Sequence, residues 1–84
     1  METRVALIGI IVTQESSVAA LNELLHQYGH YIIGRMGLPY REKGVNIISV
    51  AMDAPGDVIS ALSGKLGRLE GVIAKTVYAP AGSV

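Results

Sequence analysis

The chain has 84 residues, and its seven basic and seven acidic side chains give a formal net charge of zero. Hydrophobic residues make up 50% and charged residues 17%, which excludes an intrinsically disordered chain because such chains are charge-rich and poor in aliphatic side chains. The absence of cysteine excludes disulfides, thiolate metal sites and cysteine nucleophiles. Balanced charge also argues against direct nucleic-acid binding, which needs a basic surface.

The length fits a single domain over residues 1–84, and we expect its ordered core to run from about residue 3 to residue 79. The first apolar run, Val5 to Val12, is too short to span a membrane and precedes no small-residue cleavage pattern. We therefore expect a cytoplasmic protein with no membrane partner.

Hydrophobic periodicity predicts strands and helices in alternation. The β-branched run over residues 5–12 is typical of a central strand that is buried on both faces. A first helix should be capped by Ser16 or Ser17, continue with apolar residues at helical spacing to Tyr28, and end at Gly29.

The second half of the chain repeats this alternation. Pro55 suits the first turn of a second helix, because the first backbone N–H groups of a helix have no partner within it. We predict a second strand over residues 31–36, a loop over 37–44, a third strand over 45–52, a second helix from Pro55 to about Gly67, a fourth strand over 72–78 and a frayed tail over 79–84.

The resulting order is βαββαβ, which predicts an α+β, ferredoxin-like fold. In this fold a four-stranded antiparallel sheet carries two helices on one face. The first and third strands occupy the centre of the sheet.

Both faces of the two central strands are apolar in this sequence. Because the helices cover one face, the other would expose an apolar patch that soluble monomers rarely tolerate. We therefore predict a homo-oligomer, either a dimer or a tetramer, formed through this face or by sheets that join edge to edge. The residues predicted at the subunit interface are Ile8, Ile10, Val12, Ile48 and Val50.

Two segments are candidates for binding a small ligand. In and beside the charged loop LPYREKG, Arg35, Tyr40 and Arg41 can bind an anionic group, since arginine holds carboxylates with two hydrogen bonds. The alternative is a loop that is merely solvated. At the junction DAPG, which contains Asp53 and Gly56, free helix amides can receive an anion, or the segment simply begins a helix.

Metal binding and catalysis have weaker support. His26 and His30 are four residues apart, a spacing that places two ligands on one helix face, with Glu23 or a second subunit as source of a third ligand. Because Gly29 lies between them, two ordinary surface histidines are the favoured interpretation. We predict no metal, no other cofactor, no catalytic residues and no enzymatic activity.

The turn DAPG that leads into a helix resembles the D-x-P-G turn of ACT domains, small regulatory modules that bind amino acids at subunit interfaces. In typical ACT domains this turn follows the first strand, whereas here it follows the third. The stretches IIGRMGLPYRE and ALSGKLGRLEGVIAKT resemble more specifically the small ACT-like proteins of the iron-only hydrogenase system regulator family. This resemblance extends from the first strand to about Val77.

The resemblance implies a regulatory function, with transcription as a candidate target, because members of that family are encoded near hydrogenase maturation proteins. The fold is also similar to the C-terminal ligand-sensing domain of the nickel-responsive ribbon-helix-helix regulator, whose DNA-binding segment and nickel site have no counterpart here. We expect a non-enzymatic ACT-like regulator of an iron-only hydrogenase system that binds a small ligand or partner at a subunit interface. The alternative is a metal sensor that uses His26 and His30 across subunits.

Overall fold

The computed structural model describes residues 2–80, which form a single four-stranded sheet with two helices. The strands are β1 (Arg4–Val12), β2 (Ile32–Tyr40), β3 (Val45–Ala54) and β4 (Val72–Tyr78), and the helices are α1 (Val18–Gln27) and α2 (Gly56–Gly67). The strand order is β2-β3-β1-β4, and every neighbouring pair is antiparallel. This confirms the predicted α+β, ferredoxin-like fold. Of the predicted frayed tail, residues 81–84 lie outside the described residues.

The hydrophobic core lies between the helices and one face of the sheet. Alternate residues of the central strands are buried there, because side chains of a strand point to opposite faces in turn. The buried strand residues are Ala6, Ile8, Ile10, Val12, Ile48, Val50, Met52, Ala54 and Val72, and the helices contribute Leu21, Leu25, Ile59, Leu62 and Leu66.

The opposite face of the sheet has no covering element among residues 2–80, and we call it the open face. Its register follows from the strand pairing, since directly paired residues point to the same side. The open face consists of Val5, Leu7, Gly9 and Ile11 of β1, Gly34, Met36, Leu38 and Tyr40 of β2, Val45, Ile47, Ser49, Ala51 and Asp53 of β3, and Ile73, Lys75 and Val77 of β4.

This arrangement corrects the predicted interface residues. Ile8, Ile10, Val12, Ile48 and Val50 all lie under the helices and are at most 7% exposed. They belong to the core of the subunit, so they cannot form a sheet-to-sheet contact with a second one. The uncovered side is the one that carries Leu7 and Ile11, the alternate residues of β1.

Strand β2 is longer than predicted. Residues 37–40, predicted as loop, continue the strand, and Pro39 pairs with Asn46. Because β2 lies at the edge of the sheet, half of its N–H groups have no strand to bond, and an edge strand therefore tolerates proline. The turn to β3 shrinks to a 3₁₀ turn, Arg41–Lys43, closed by Gly44 in the left-handed conformation with φ of 65°.

The ends of α1 also differ from the prediction. The helix is preceded by a 3₁₀ turn, Glu15–Ser17, and neither serine caps it through its side chain. The Ser17 hydroxyl is buried and instead donates a hydrogen bond to the Glu70 carbonyl oxygen. The helix ends at Gln27, and Gly29 begins a further 3₁₀ turn without a positive φ, so it is not a left-handed cap.

The start of α2 lies close to its predicted position. Pro55 is the residue before the first helical residue, and its carbonyl accepts hydrogen bonds from the amides of Val58 and Ile59. Within residues 2–80, neither helix is long and apolar enough to cross a membrane.

Candidate functional site: the open face and the hairpin cleft

The open face presents large apolar side chains to solvent. At the level of Ile11, each of the four strands contributes an aliphatic side chain, because Ile11 pairs with both Ile47 and Ile73, and Ile47 pairs with Leu38. Ile73 is 57% exposed and Leu38 is 53% exposed. An uncovered aliphatic band across a whole sheet is a feature of interaction surfaces.

The middle of the open face is recessed because its side chains are small. Gly9, Ser49, Ala51 and Gly34 occupy neighbouring positions on three strands. Together with flanking Leu7, Arg35 and Met36, the last three of these small residues line a depression of about 220 Å³. A large apolar side chain from another molecule can fill such a depression.

A larger cleft lies at the end of the sheet where β2 turns into β3, and we call it the hairpin cleft. Its volume is about 500 Å³, which is within the size range of small-molecule sites. It is lined from one side by the segment after β1 and from the other by the hairpin. The lining residues are Thr13, Glu15, Pro39, Tyr40, Arg41, Gly44, Val45 and Asn46.

The hairpin cleft contains charges of both signs. Glu15 supplies a carboxylate and Arg41 a guanidinium, and within residues 2–80 neither side chain has a hydrogen-bond partner. Thr13 and Asn46 add a hydroxyl and an amide to the same lining. These groups can together hold a small polar molecule that carries an anionic group, a cationic group or both.

A side groove of about 230 Å³ lies between α1 and β2, next to the hairpin cleft, with which it shares Pro39 and Asn46. Here Arg35 donates a hydrogen bond to the Asn22 side-chain oxygen at 3.1 Å. Arg35 is therefore directed along the helix side of β2 rather than toward the hairpin.

The predicted ligand residues do not form one site. Tyr40 and Arg41 line the hairpin cleft, whereas Asp53 lies on the open face near the other end of β3, next to Gly56 at the start of α2. Eight residues of strand separate Val45 from Asp53, which corresponds to roughly 26 Å. The structure thus brings Tyr40 and Arg41 together and separates them both from Arg35 and from the DAPG group.

The start of α2 offers less to an anion than the sequence suggested. The Val58 amide donates to the Asp57 carboxylate at 3.0 Å and also to the Pro55 carbonyl. A carboxylate of the chain itself therefore occupies the helix end, where an external anion would be repelled.

The two histidines are both exposed. His26 lies on α1, whereas His30 lies in the following 3₁₀ turn with its ring centroid 4.2 Å from that of Tyr31. Within residues 2–80, no group of three or more histidine, aspartate or glutamate side chains is arranged to hold a metal ion.

Sequence reasoning missed the three other polar side chains that line the hairpin cleft, those of Thr13, Glu15 and Asn46. Thr13 and Glu15 belong to the junction between β1 and α1. Strands β1 and β3 are antiparallel neighbours, so the end of β1 meets the start of β3. The strand order predicted from the sequence already implied this proximity. It was the signal that could have identified Thr13 and Glu15 as neighbours of the hairpin.

The sheet order, the helices on one side and the apolar face on the other define a ferredoxin-like α+β domain with one uncovered apolar sheet face. A family model described as "TM1266-like: Iron-only hydrogenase system regulator, putative" matches residues 4–76. The chain belongs to this TM1266-like family.

One solved structure agrees with this assignment, and a second shares the fold. The uncharacterized protein TM1266 from Thermotoga maritima is 40% identical, with a TM-score of 0.90 over 94% of this chain and 100% of that one. A formyltetrahydrofolate deformylase from Pseudomonas putida KT2440 has a TM-score of 0.64 at 15% identity, over 90% of this chain and 29% of that one, which shows a shared fold alone. No curated protein matches the chain significantly.

Proposed function

We propose that this chain is a non-enzymatic regulatory module that works as a homo-oligomer, uses the open face as its subunit interface and binds a small polar ligand in the hairpin cleft. The observation that carries the proposal is the open face itself. Among its residues, Leu7 is 45% exposed and Val77 is 65% exposed in a single copy. Covering these side chains with a second subunit removes apolar surface from water, which favours association.

The size of the open face supports a second copy as its occupant. Four strands about 4.8 Å apart, each about nine residues long, span roughly 19 Å by 30 Å, or about 570 Å². Two copies with aligned strands bury about 1,100 Å² in total, close to the lower limit of stable protein interfaces, and copies with crossed strands bury less. Two apolar sheet faces also pack well against each other, as in β-sandwiches.

The hairpin cleft and the open face share residues, which supports a regulatory mechanism. Tyr40 and Val45 belong to the open face and also line the cleft. A ligand held by Arg41 and Glu15 would contact these two residues and so alter the rim of the interface. Ligand binding and subunit association then depend on each other, because coupling between two sites is reciprocal.

The family description supports a regulatory role and names the system regulated, that of iron-only hydrogenase. We assign that role to this chain on the basis of its membership of the family. The module would act by a change of oligomer stability, and the residues around the hairpin cleft would sense the ligand.

Light scattering on the purified chain tests the interface. We expect an oligomer for the unchanged chain and a monomer for Leu7→Glu, because a carboxylate in the middle of an apolar interface must be buried without a partner. Ser60→Glu, at an exposed position of α2, is the matched control and should leave the mass unchanged. A monomeric unchanged chain at high micromolar concentration would overturn the proposal.

Thermal unfolding with a panel of amino acids, small carboxylates and divalent metals tests the ligand. A compound that binds only the folded chain raises the melting temperature. We expect stabilisation by a compound from the polar organic group, lost in Arg41→Ala. Stabilisation by a metal, lost in His26→Ala and His30→Ala, would instead support the metal-sensor alternative.

A further inference from the structure

The open face carries two charged strand residues, one of each sign, on an otherwise uncharged surface. Asp53 pairs with Val5 near one end of β1, and Lys75 pairs with Gly9 from the other side of β1. Both are exposed, and within residues 2–80 neither side chain has a hydrogen-bond or ion-pair partner.

These two residues cannot pair within one chain. Strand β1 lies between β3 and β4, and the two positions are four residues apart along it. With strands about 4.8 Å apart and a rise of about 3.3 Å per residue, the two Cα atoms are roughly 16 Å apart. The two side chains together are too short to bridge that distance.

We propose that Lys75 of one copy pairs with Asp53 of a second copy when two open faces pack together, and that the second copy returns the same pair. This inference rests on the proposed interface and adds the ion pairs that fix the relative orientation of the two copies. A twofold interface places the same patch on both sides. A patch that carries one cation and one anion is therefore self-complementary, and it forms two ion pairs per dimer.

The position of the twofold axis supports the pairing. Two faces that pack against each other are related by a twofold axis that lies in the plane between them. For Lys75 to lie opposite Asp53 of the second copy, this axis must cross the line between the two positions at its midpoint and at a right angle. Lys75 lies at the level of Gly9 and Asp53 at the level of Val5, on opposite sides of β1, so the midpoint lies at Leu7. A residue on a twofold axis contacts the same residue of the second copy. An exposed leucine suits that position, because a charged residue there would face an identical charge.

Leaving these charges unpaired in the interface is unfavourable. An ammonium and a carboxylate covered by apolar side chains lose their hydration, and only a partner of opposite sign offsets that loss. The same two charges disfavour other orientations of the faces, because these place a charge against aliphatic side chains such as Ile73 or Met36.

Charge exchange between two variants tests the pairing. In an Asp53→Lys dimer both pairs would place two cations opposite each other, and in a Lys75→Glu dimer both would place two anions opposite each other. We expect each variant alone to have a dimer dissociation constant raised at least about tenfold, since like charges opposed across an interface disfavour that partner. An equimolar mixture of the two variants should restore dimerisation as a heterodimer, because both ion pairs of the heterodimer combine opposite charges.

Analytical ultracentrifugation of each variant and of the mixture measures these constants. Glu23→Lys and Arg68→Glu, which make the same charge changes on the helix side, are the controls and should dimerise like the unchanged chain, alone and mixed. Circular dichroism confirms that all variants fold.

The possible outcomes separate this inference from the proposed function. If the unchanged chain dimerises and Leu7→Glu does not, the interface stands. The pairing is overturned, while the interface remains, if Asp53→Lys and Lys75→Glu each have the same dimer dissociation constant as the unchanged chain. The same conclusion follows if an equimolar mixture of the two variants forms no heterodimer. A monomeric unchanged chain overturns both.

Discussion

Thr13 and Gly71 join the end of β1 to the start of β4 through a single carbonyl group. The Thr13 amide donates to the Gly71 carbonyl oxygen at 2.7 Å, and the Thr13 hydroxyl donates to the same oxygen at 3.0 Å. Gly71 has a φ of 72°, and a Cβ atom built on it would lie 2.7 Å from Cγ of Gln14. Both its backbone conformation and its surroundings therefore require glycine.

We accordingly expect Gly71→Ala to be among the most destabilising glycine substitutions in the chain. The left-handed conformation alone costs roughly 1–2 kcal/mol for a residue with a Cβ, and the clash with Gln14 adds to it. Gly44→Ala is the matched control, since Gly44 has a φ of 65° but no atom within 4 Å of the added Cβ. Urea unfolding should show a larger loss for Gly71→Ala than for Gly44→Ala, and equal losses would contradict the steric argument.

Ser17 provides a second test, of a hydrogen bond between distant segments. Its buried hydroxyl donates to the Glu70 carbonyl oxygen, so Ser17→Ala leaves that oxygen without this partner. We expect a loss of about 1–3 kcal/mol in the free energy of unfolding. Ser16→Ala, at the exposed neighbouring position, should change it by less than about 0.5 kcal/mol. A Ser17→Ala variant as stable as Ser16→Ala would show that the bond contributes nothing.

Adjacent residues of β1 distinguish the core from the interface. Ile8 is fully buried under the helices, whereas Leu7 is 45% exposed on the open face. We expect Ile8→Ala to lower the free energy of unfolding by about 2–5 kcal/mol, because it opens a cavity in the core. Leu7→Ala should instead weaken self-association, with a much smaller effect on unfolding of the dissociated chain. Unfolding and sedimentation of both variants over a range of protein concentrations separate the two effects.

The hairpin cleft can be tested with two basic residues of the same turn. Arg41 lines the cleft, whereas Lys43 is exposed and does not line it. With a compound from the panel that raises the melting temperature of the unchanged chain, Arg41→Ala should abolish most of the shift. Lys43→Ala should keep it, although both variants lose one positive charge. Equal losses in both variants would indicate a general effect of charge rather than a site.

The order of the elements could be predicted because each element carries its own local pattern. The β-branched run of β1 and the helical spacing of Leu62 and Leu66 in α2 are properties of neighbouring residues. The exact extent of β2 could not be predicted in this way. Pro39 indicates a loop when its neighbours along the chain are considered alone, and only the position of β2 at the sheet edge makes it acceptable in a strand.

The candidate site depended even more on tertiary structure. Tyr40 and Arg41 were predicted from the composition of their loop, but Thr13 and Glu15 reach the same cleft only because β1 ends beside the start of β3. Asp53 and Arg41 belong to two separately predicted segments, and strand β3 keeps these segments apart.

Local sequence patterns were sufficient to predict the fold class, the order of strands and helices, and the existence of an apolar sheet face beyond what two helices can cover. Which of the two faces is uncovered follows only from the packing of the helices. In β1 both sets of alternating residues are apolar, so the burial of either set satisfies the hydrophobic effect equally well at the level of the strand. The helices pack on the side of Ile8 and Ile10, where every buried residue of the central strands is apolar. The other side also contains Asp53 and Lys75, which remain in contact with water in a single copy.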